Sequence, residues 1–215
     1  MNIKKWLYLF STTLLVGGVS SVLLGIILEQ GTLWGQGWTN VIMGLVWNFG
    51  LGLLFSVVSQ MGFFAYLTIH NVGIGVFKSF WPYVQILLIA YTFFDMVYFR
   101  FTTFAQEGEG FFGYIWIPLG ILLYAMAVSY FKVKQTNRNA AIPTVFVMFV
   151  VTVIEWIPAL KQNNLTGMFY MLIPLLLCNT WQVMQLHRLT KKSPIEEPAA
   201  LTNSRVTPKK KTKSN

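Results

Sequence analysis

Two carboxylates stand inside otherwise apolar stretches: Asp95 in LIAYTFFDMVYF and Glu155 in VFVMFVVTVIEWIPAL. A carboxylate is costly in hydrocarbon, so its presence there raises a functional site by default. The plain reading is a protonated or hydrogen-bonded structural group. The sharper readings are a proton- or cation-coupled site, or contact with another membrane protein. Counted from the ends of their apolar stretches, Asp95, Glu155 and Asn48 fall at comparable depth and form a candidate intramembrane polar layer. Gln60, Gln85 and Gln182 fall together at the opposite depth. Arg100 follows Asp95 by five residues, a poor same-face spacing, so it is expected to snorkel to the interface rather than pair with Asp95.

Enzyme chemistry finds little to work with. The two histidines, His70 and His187, sit at the ends of apolar stretches. No Gly-x-Ser-x-Gly, no His-Glu-x-x-His and no phosphate-cradling glycine loop with its lysine occurs. Glu196 and Glu197 stand beside a proline with no histidine near. One cysteine, Cys178, excludes an intrachain disulfide and an all-cysteine zinc site. Inside an apolar run it reads as a small buried thiol. The expectation is a non-enzyme with no catalytic residue, no metal ligand set and no cofactor.

The elements that carry these residues follow from composition. Only 11% of the 215 residues are charged and 55% are hydrophobic, against roughly 25% charged in soluble domains. The stretches 6–28, 110–131 and 162–187 hold no Asp, Glu, Lys or Arg, and each exceeds the ~18 apolar residues that mark a candidate spanning helix. The chain reads as an all-α polytopic membrane protein of the cell membrane. Its transmembrane domain covers residues 1–190, with six helices near 6–28, 40–68, 80–99, 111–131, 141–160 and 167–186. The first apolar run is too long for a signal peptide and lacks a small-residue cleavage site. The segment HNVGIGVFK, residues 70–78, reads as a turn. Residues 191–215 are polar, Pro-containing and basic, a composition expected to stay disordered.

The net charge is +9. Its placement between apolar stretches points to membrane orientation rather than nucleic acid. With both termini cytoplasmic, 14 of the 16 basic residues lie inside and only Arg100 and Lys161 outside, the asymmetry the positive-inside rule selects. The tail lysines Lys191, Lys192, Lys209, Lys210, Lys211 and Lys213 are candidates to bind anionic lipid at the inner leaflet or an acidic partner surface.

Without a strong hydrophobic drive between helices in lipid, small and polar residues mark the faces that meet. Gly44, Asn48, Gly52, Ser56 and Gln60 recur every fourth residue. They form a candidate helix-packing or partner stripe. Gly18 and Gly25, two turns apart, suggest a second contact face.

The block NFGLGLLFSVVSQMGFFAYLTIH, residues 48–70, followed by VQILLIAYTFFDMVYFRF, residues 84–101, resembles the KbaA family of endospore-forming bacteria, the KinB-signalling pathway activation proteins. The resemblance implies an integral membrane regulator that supports activation or assembly of a KinB-like membrane sensor histidine kinase in the sporulation phosphorelay. It implies no ligand and no active-site residue. The alternative is a small six-span transporter or channel. Six spans could form an inverted repeat, but the two halves show no repeat in wording, and Pro118, Pro158 and Pro174 do not break a span at its midpoint.

Overall fold

The computed structural model describes residues 3–28, 37–105, 110–161 and 164–190. The tail 191–215, with Lys191, Lys192, Lys209, Lys210, Lys211 and Lys213, lies outside the described residues. Long apolar sequence favours helix because a helix satisfies its own N–H and C=O groups without water. The described residues form helices, their short 3-10 extensions and connecting turns, with no strand among them. Helix α1 is Ile3–Leu28, α2 is Trp38–Phe77, α3 is Trp81–Phe104 and α4 is Trp116–Gln135. Helix α5 is built from Ala141–Phe146, a π-helical turn Val147–Val151, and Thr152–Leu160. Helix α6 is Leu165–Thr190.

Among the described residues, five helical stretches are long and apolar enough to cross a membrane: Ile3–Leu28, Trp38–Phe104, Phe111–Gln135, Arg138–Leu160 and Leu165–His187. The second of these holds 67 residues, which as a straight rod would reach ~100 Å. It does not run straight. At Lys78 the backbone takes φ 48 and ψ −120, and the chain reverses through a 3-10 turn, Lys78–Phe80. Gln85 Nε2 then donates to Tyr66 Oη at 3.2 Å, which fixes α2 and α3 side by side.

The turn expected over residues 70–78 is a correction. Helix α2 continues through Gly73 and Gly75 to Phe77. Glycine in a helix costs about 1 kcal/mol relative to alanine. Here Gly73 is buried and leaves the space in which the Trp81 ring packs.

Cross-helix contacts show alternating directions. Ser56 and Gln60 of α2 reach Thr13 and Phe10 of α1, an antiparallel register. Ser56 stands beside Cys178 and Ser59 meets Gln182 of α6, so α2 and α6 run the same way. Tyr124 of α4 meets Thr180, and Lys132 meets Val183, again parallel to α6. Helix α5 lies at the centre: every residue from Phe146 to Val151 is buried. Around it pack Phe63, Ala125 and Leu175. The outside carries Leu23, Trp47, Leu54, Met61, Leu87 and Ile154, all exposed. An apolar exterior of this extent belongs against lipid or another apolar partner rather than water.

Candidate functional site

The stripe on α2 faces inward. Asn48, Gly52, Ser56 and Gln60 are buried, while Gly44 is half-buried. Gly52 meets Gly17 of α1 backbone to backbone: a Cβ on either would collide with the other's carbonyl. Ser56 Oγ donates to the Thr13 carbonyl at 3.1 Å and stands 3.5 Å from Cys178 Sγ. Gly25 leaves room for the Asn48 amide, and Gly18 for the Phe49 ring, so the second glycine face of α1 packs on α2 as well. Small residues let the two backbones approach, and hydroxyls then reach carbonyls across the gap. The stripe is thus used within the chain, on α1 and α6. Of the two readings of the stripe, helix packing or a partner, this geometry is the packing one.

The polar layer of Asn48, Asp95 and Glu155 does not form. Asp95 lies on the exposed face of α3, beside exposed Phe94 and Tyr98. Asn48 and Glu155 are buried but far apart. Glu155 Oε1 fills the space left by Gly62, and Gly62 is 14 residues beyond Asn48 on the same helix, ~21 Å along its axis. Arg100, expected to snorkel, is instead buried at 6% exposure.

What the fold assembles is a different cluster, joining α2, α5 and α6 through one amide. Asn179 Nδ2 donates to Glu155 Oε2 and to Thr152 Oγ1, both at 2.9 Å. Asn179 Oδ1 accepts from Ser59 Oγ at 2.7 Å. Ser59 Oγ in turn accepts from Gln182 Nε2 at 2.6 Å. Ser59, Thr152, Asn179 and Gln182 are fully buried. Asn179 was not singled out in the sequence, although an amide amid LLLCNTW was the available signal. The π turn Val147–Val151 directly precedes Thr152 and Glu155. Inserting one residue into a helix re-aims everything after it, and such turns occur often at functional sites. The Thr152 hydroxyl also reaches the Val147 carbonyl, five residues back, at 3.5 Å.

Chemically this cluster is a hydrogen-bonded lock. Glu155 has no basic partner among the described residues: Lys132, the buried lysine, donates to the Val183 carbonyl at 2.6 Å and lies 3.2 Å from His187 Nδ1. No group of three or more His, Cys, Asp or Glu stands close enough to hold a metal among the described residues. Cys178 is fully buried.

A second polar constellation sits where α2 reverses into α3. Trp81 Nε1 donates to His70 Nδ1 at 2.9 Å, and Tyr66 Oη stands 3.1 Å from the same nitrogen. Sequence alone places His70 only at the end of an apolar stretch.

No solved structure matches the chain. A "KinB-signaling pathway activation protein" of Bacillus subtilis (strain 168) is 34% identical over 189 residues, which cover 85% of this chain and 96% of that relative. The family model described as "KbaA: KinB-signalling pathway activation in sporulation" matches residues 15–189. That match runs from within α1 nearly to the end of α6 and takes in the stripe, the Glu155 cluster and the His70 constellation alike: the chain belongs to the KbaA family.

Proposed function

We propose that this chain is a six-span protein of the bacterial cell membrane, with both termini cytoplasmic. It supports activation or assembly of a membrane sensor histidine kinase in sporulation, without catalysing a reaction itself. The observation that carries the reading is the family match across the helical bundle, at 34% identity to a KinB-signalling relative. The reversal at Lys78 divides the 67-residue apolar stretch into two helices of 40 and 24 residues, each long enough for a span. Together with the charge asymmetry this supports six crossings.

A non-enzyme activates a kinase only by binding its active conformation better than its inactive one, or by raising the amount folded and inserted. A differential affinity of ~1–3 kcal/mol changes the equilibrium about 5–150-fold. The interior stripe is occupied by α1 and α6, so the kinase engages the exposed outer faces or the cytoplasmic edge. The basic tail adds attraction for anionic lipid at the inner leaflet.

Kinase level and kinase autophosphorylation, measured in sporulating cells with and without this gene, test the proposal. Lower phosphorylation at constant kinase level supports conformational activation, and a lower kinase level supports assembly. If neither changes and the deletion strain loses uptake of a solute, the chain is a transporter and the proposal fails.

A further inference from the structure

A cavity of about 460 Å³ opens where the α2–α3 reversal meets the start of α5. Its walls come from two turns that are distant in sequence: His70, Lys78, Trp81 and Gln85 on one side, Arg138 and Pro143 on the other. Apolar surface from Ile74, Pro82 and Ile142 completes it.

The charged groups at this cavity are cations, and Ser79 and Asn139 add neutral groups that can donate or accept. Lys78 and Arg138 are exposed cations. The described carboxylates are Asp95 and Glu155, and neither lines the cavity. His70 adds a third donor by deduction. An indole N–H can only donate, so Trp81 Nε1 at 2.9 Å makes His70 Nδ1 an acceptor. The neutral ring then carries its proton on Nε2. Tyr66 Oη, which accepts from Gln85 Nε2, stands 3.1 Å from the same Nδ1. The Trp81 bond therefore holds the ring in one tautomer. Gln85 Oε1 is an acceptor that is buried and without a hydrogen-bond partner, on a side chain that forms part of the wall.

The backbone adds an independent observation. Lys78 takes φ 48, a left-handed conformation that glycine adopts freely and lysine does not. Strain of this kind costs of order 1–3 kcal/mol and is retained where the surroundings over-determine it. Here the strained position carries a cation at the cavity.

We propose that this cavity binds the headgroup of an anionic glycerophospholipid that bears a free hydroxyl, with phosphate on Lys78, Arg138 and His70 and the hydroxyl on Gln85 Oε1. Basic pockets between spanning helices on the cytoplasmic side take lipid headgroups. The apolar wall offers the acyl-chain region a surface that free phosphate would not use. The assignment is separate from the basic tail. It rests on the six-span reading only for the cavity's depth at the cytoplasmic interface.

The test uses the purified full-length chain and native mass spectrometry with titrated lipid, alongside thermal unfolding, so it does not depend on any kinase. Phosphatidylglycerol should be retained over phosphatidylcholine. Phosphatidylmethanol, anionic but without headgroup hydroxyls, should be retained more weakly than phosphatidylglycerol. Removing both cations in a Lys78→Gly, Arg138→Gln double variant should weaken phosphatidylglycerol about 30-fold, which is ~2 kcal/mol at about 1 kcal/mol per cation. Glycine at position 78 relieves the backbone, so this variant should unfold no earlier than the parent in phosphatidylcholine, and lost binding cannot be ascribed to misfolding. A Lys209→Gln, Lys210→Gln, Lys211→Gln, Lys213→Gln variant should keep the preference. Wild-type retention by the double variant, or loss of preference in the tail variant alone, overturns the site. Equal stabilisation by inorganic phosphate overturns the lipid assignment in favour of free phosphate.

Discussion

Gly52→Ala tests how the bundle is held together. A Cβ at Gly52 would stand 2.8 Å from the Gly17 carbonyl carbon, nearer still to its oxygen, and 2.7 Å from Ser21 Oγ. Ordinary carbon contacts begin near 3.5 Å, so α1 must retreat by roughly 0.7 Å or more. The obstacle is backbone, which cannot rotate away as a side chain can. Retreat also stretches the Ser56 Oγ bond to the Thr13 carbonyl, now 3.1 Å. Overpacking costs ~1–3 kcal/mol, and an interhelical hydrogen bond in a membrane about 0.6 kcal/mol. Against this, replacing glycine by alanine in a helix gains roughly 1 kcal/mol. Gly50 supplies the control, because it lies on the same helix and a Cβ there meets nothing within 4 Å. Gly50→Ala should be neutral or stabilising. The difference between the two variants removes the propensity gain and leaves the steric and hydrogen-bond cost, about 1.6–3.6 kcal/mol. Equilibrium unfolding in mixed micelles or nanodiscs, with both variants beside the parent, measures that difference. Equal stability of Gly52→Ala and Gly50→Ala would refute the close approach of α1 and α2.

The Glu155 cluster predicts an ordering. Asn179→Leu should destabilise by ~1–3 kcal/mol, because it leaves the buried Glu155 Oε2 without its donor and the Ser59 hydroxyl without its acceptor; Glu155→Gln should cost less than Glu155→Leu, measured by the same unfolding. Asp95 predicts the opposite: Asp95→Leu should leave stability unchanged or raised, since no interior group depends on it. A fall in kinase phosphorylation at constant protein level would then place a partner on the exposed face of α3, whereas a destabilised Asp95→Leu would refute its outward placement. For topology, single cysteines near Gly35, Gly108 and Asn163, in a Cys178-free background, should react with an impermeant thiol reagent on intact cells. Cysteines near Asn137 and Ser204 should react only after lysis, and labelling of Asn137 in intact cells would reverse the orientation.

What the sequence determined by itself is whatever one dimension can carry. Length and apolar content decide that these stretches are helices and which of them can cross a membrane. Small residues at a four-residue interval identified the inner face of α2, because only Gly, Ser and similar residues allow two backbones to meet. What the tertiary structure alone decided is direction and axial register. In lipid both faces of a helix are apolar, so hydrophobicity does not say which side turns inward. Helix α3 therefore sends Asp95 out and Arg100 in, the reverse of the inward Asp95 and snorkelling Arg100 expected from the sequence. Depth counted from helix ends assumes that helices are equal in length and flush. Helix α2 has 40 residues and α5 contains a π turn, so Asn48 and Glu155 stand on different levels. The partner Glu155 does have, Asn179, lies 24 residues further along the chain on another helix, and only the packed bundle brings the two together.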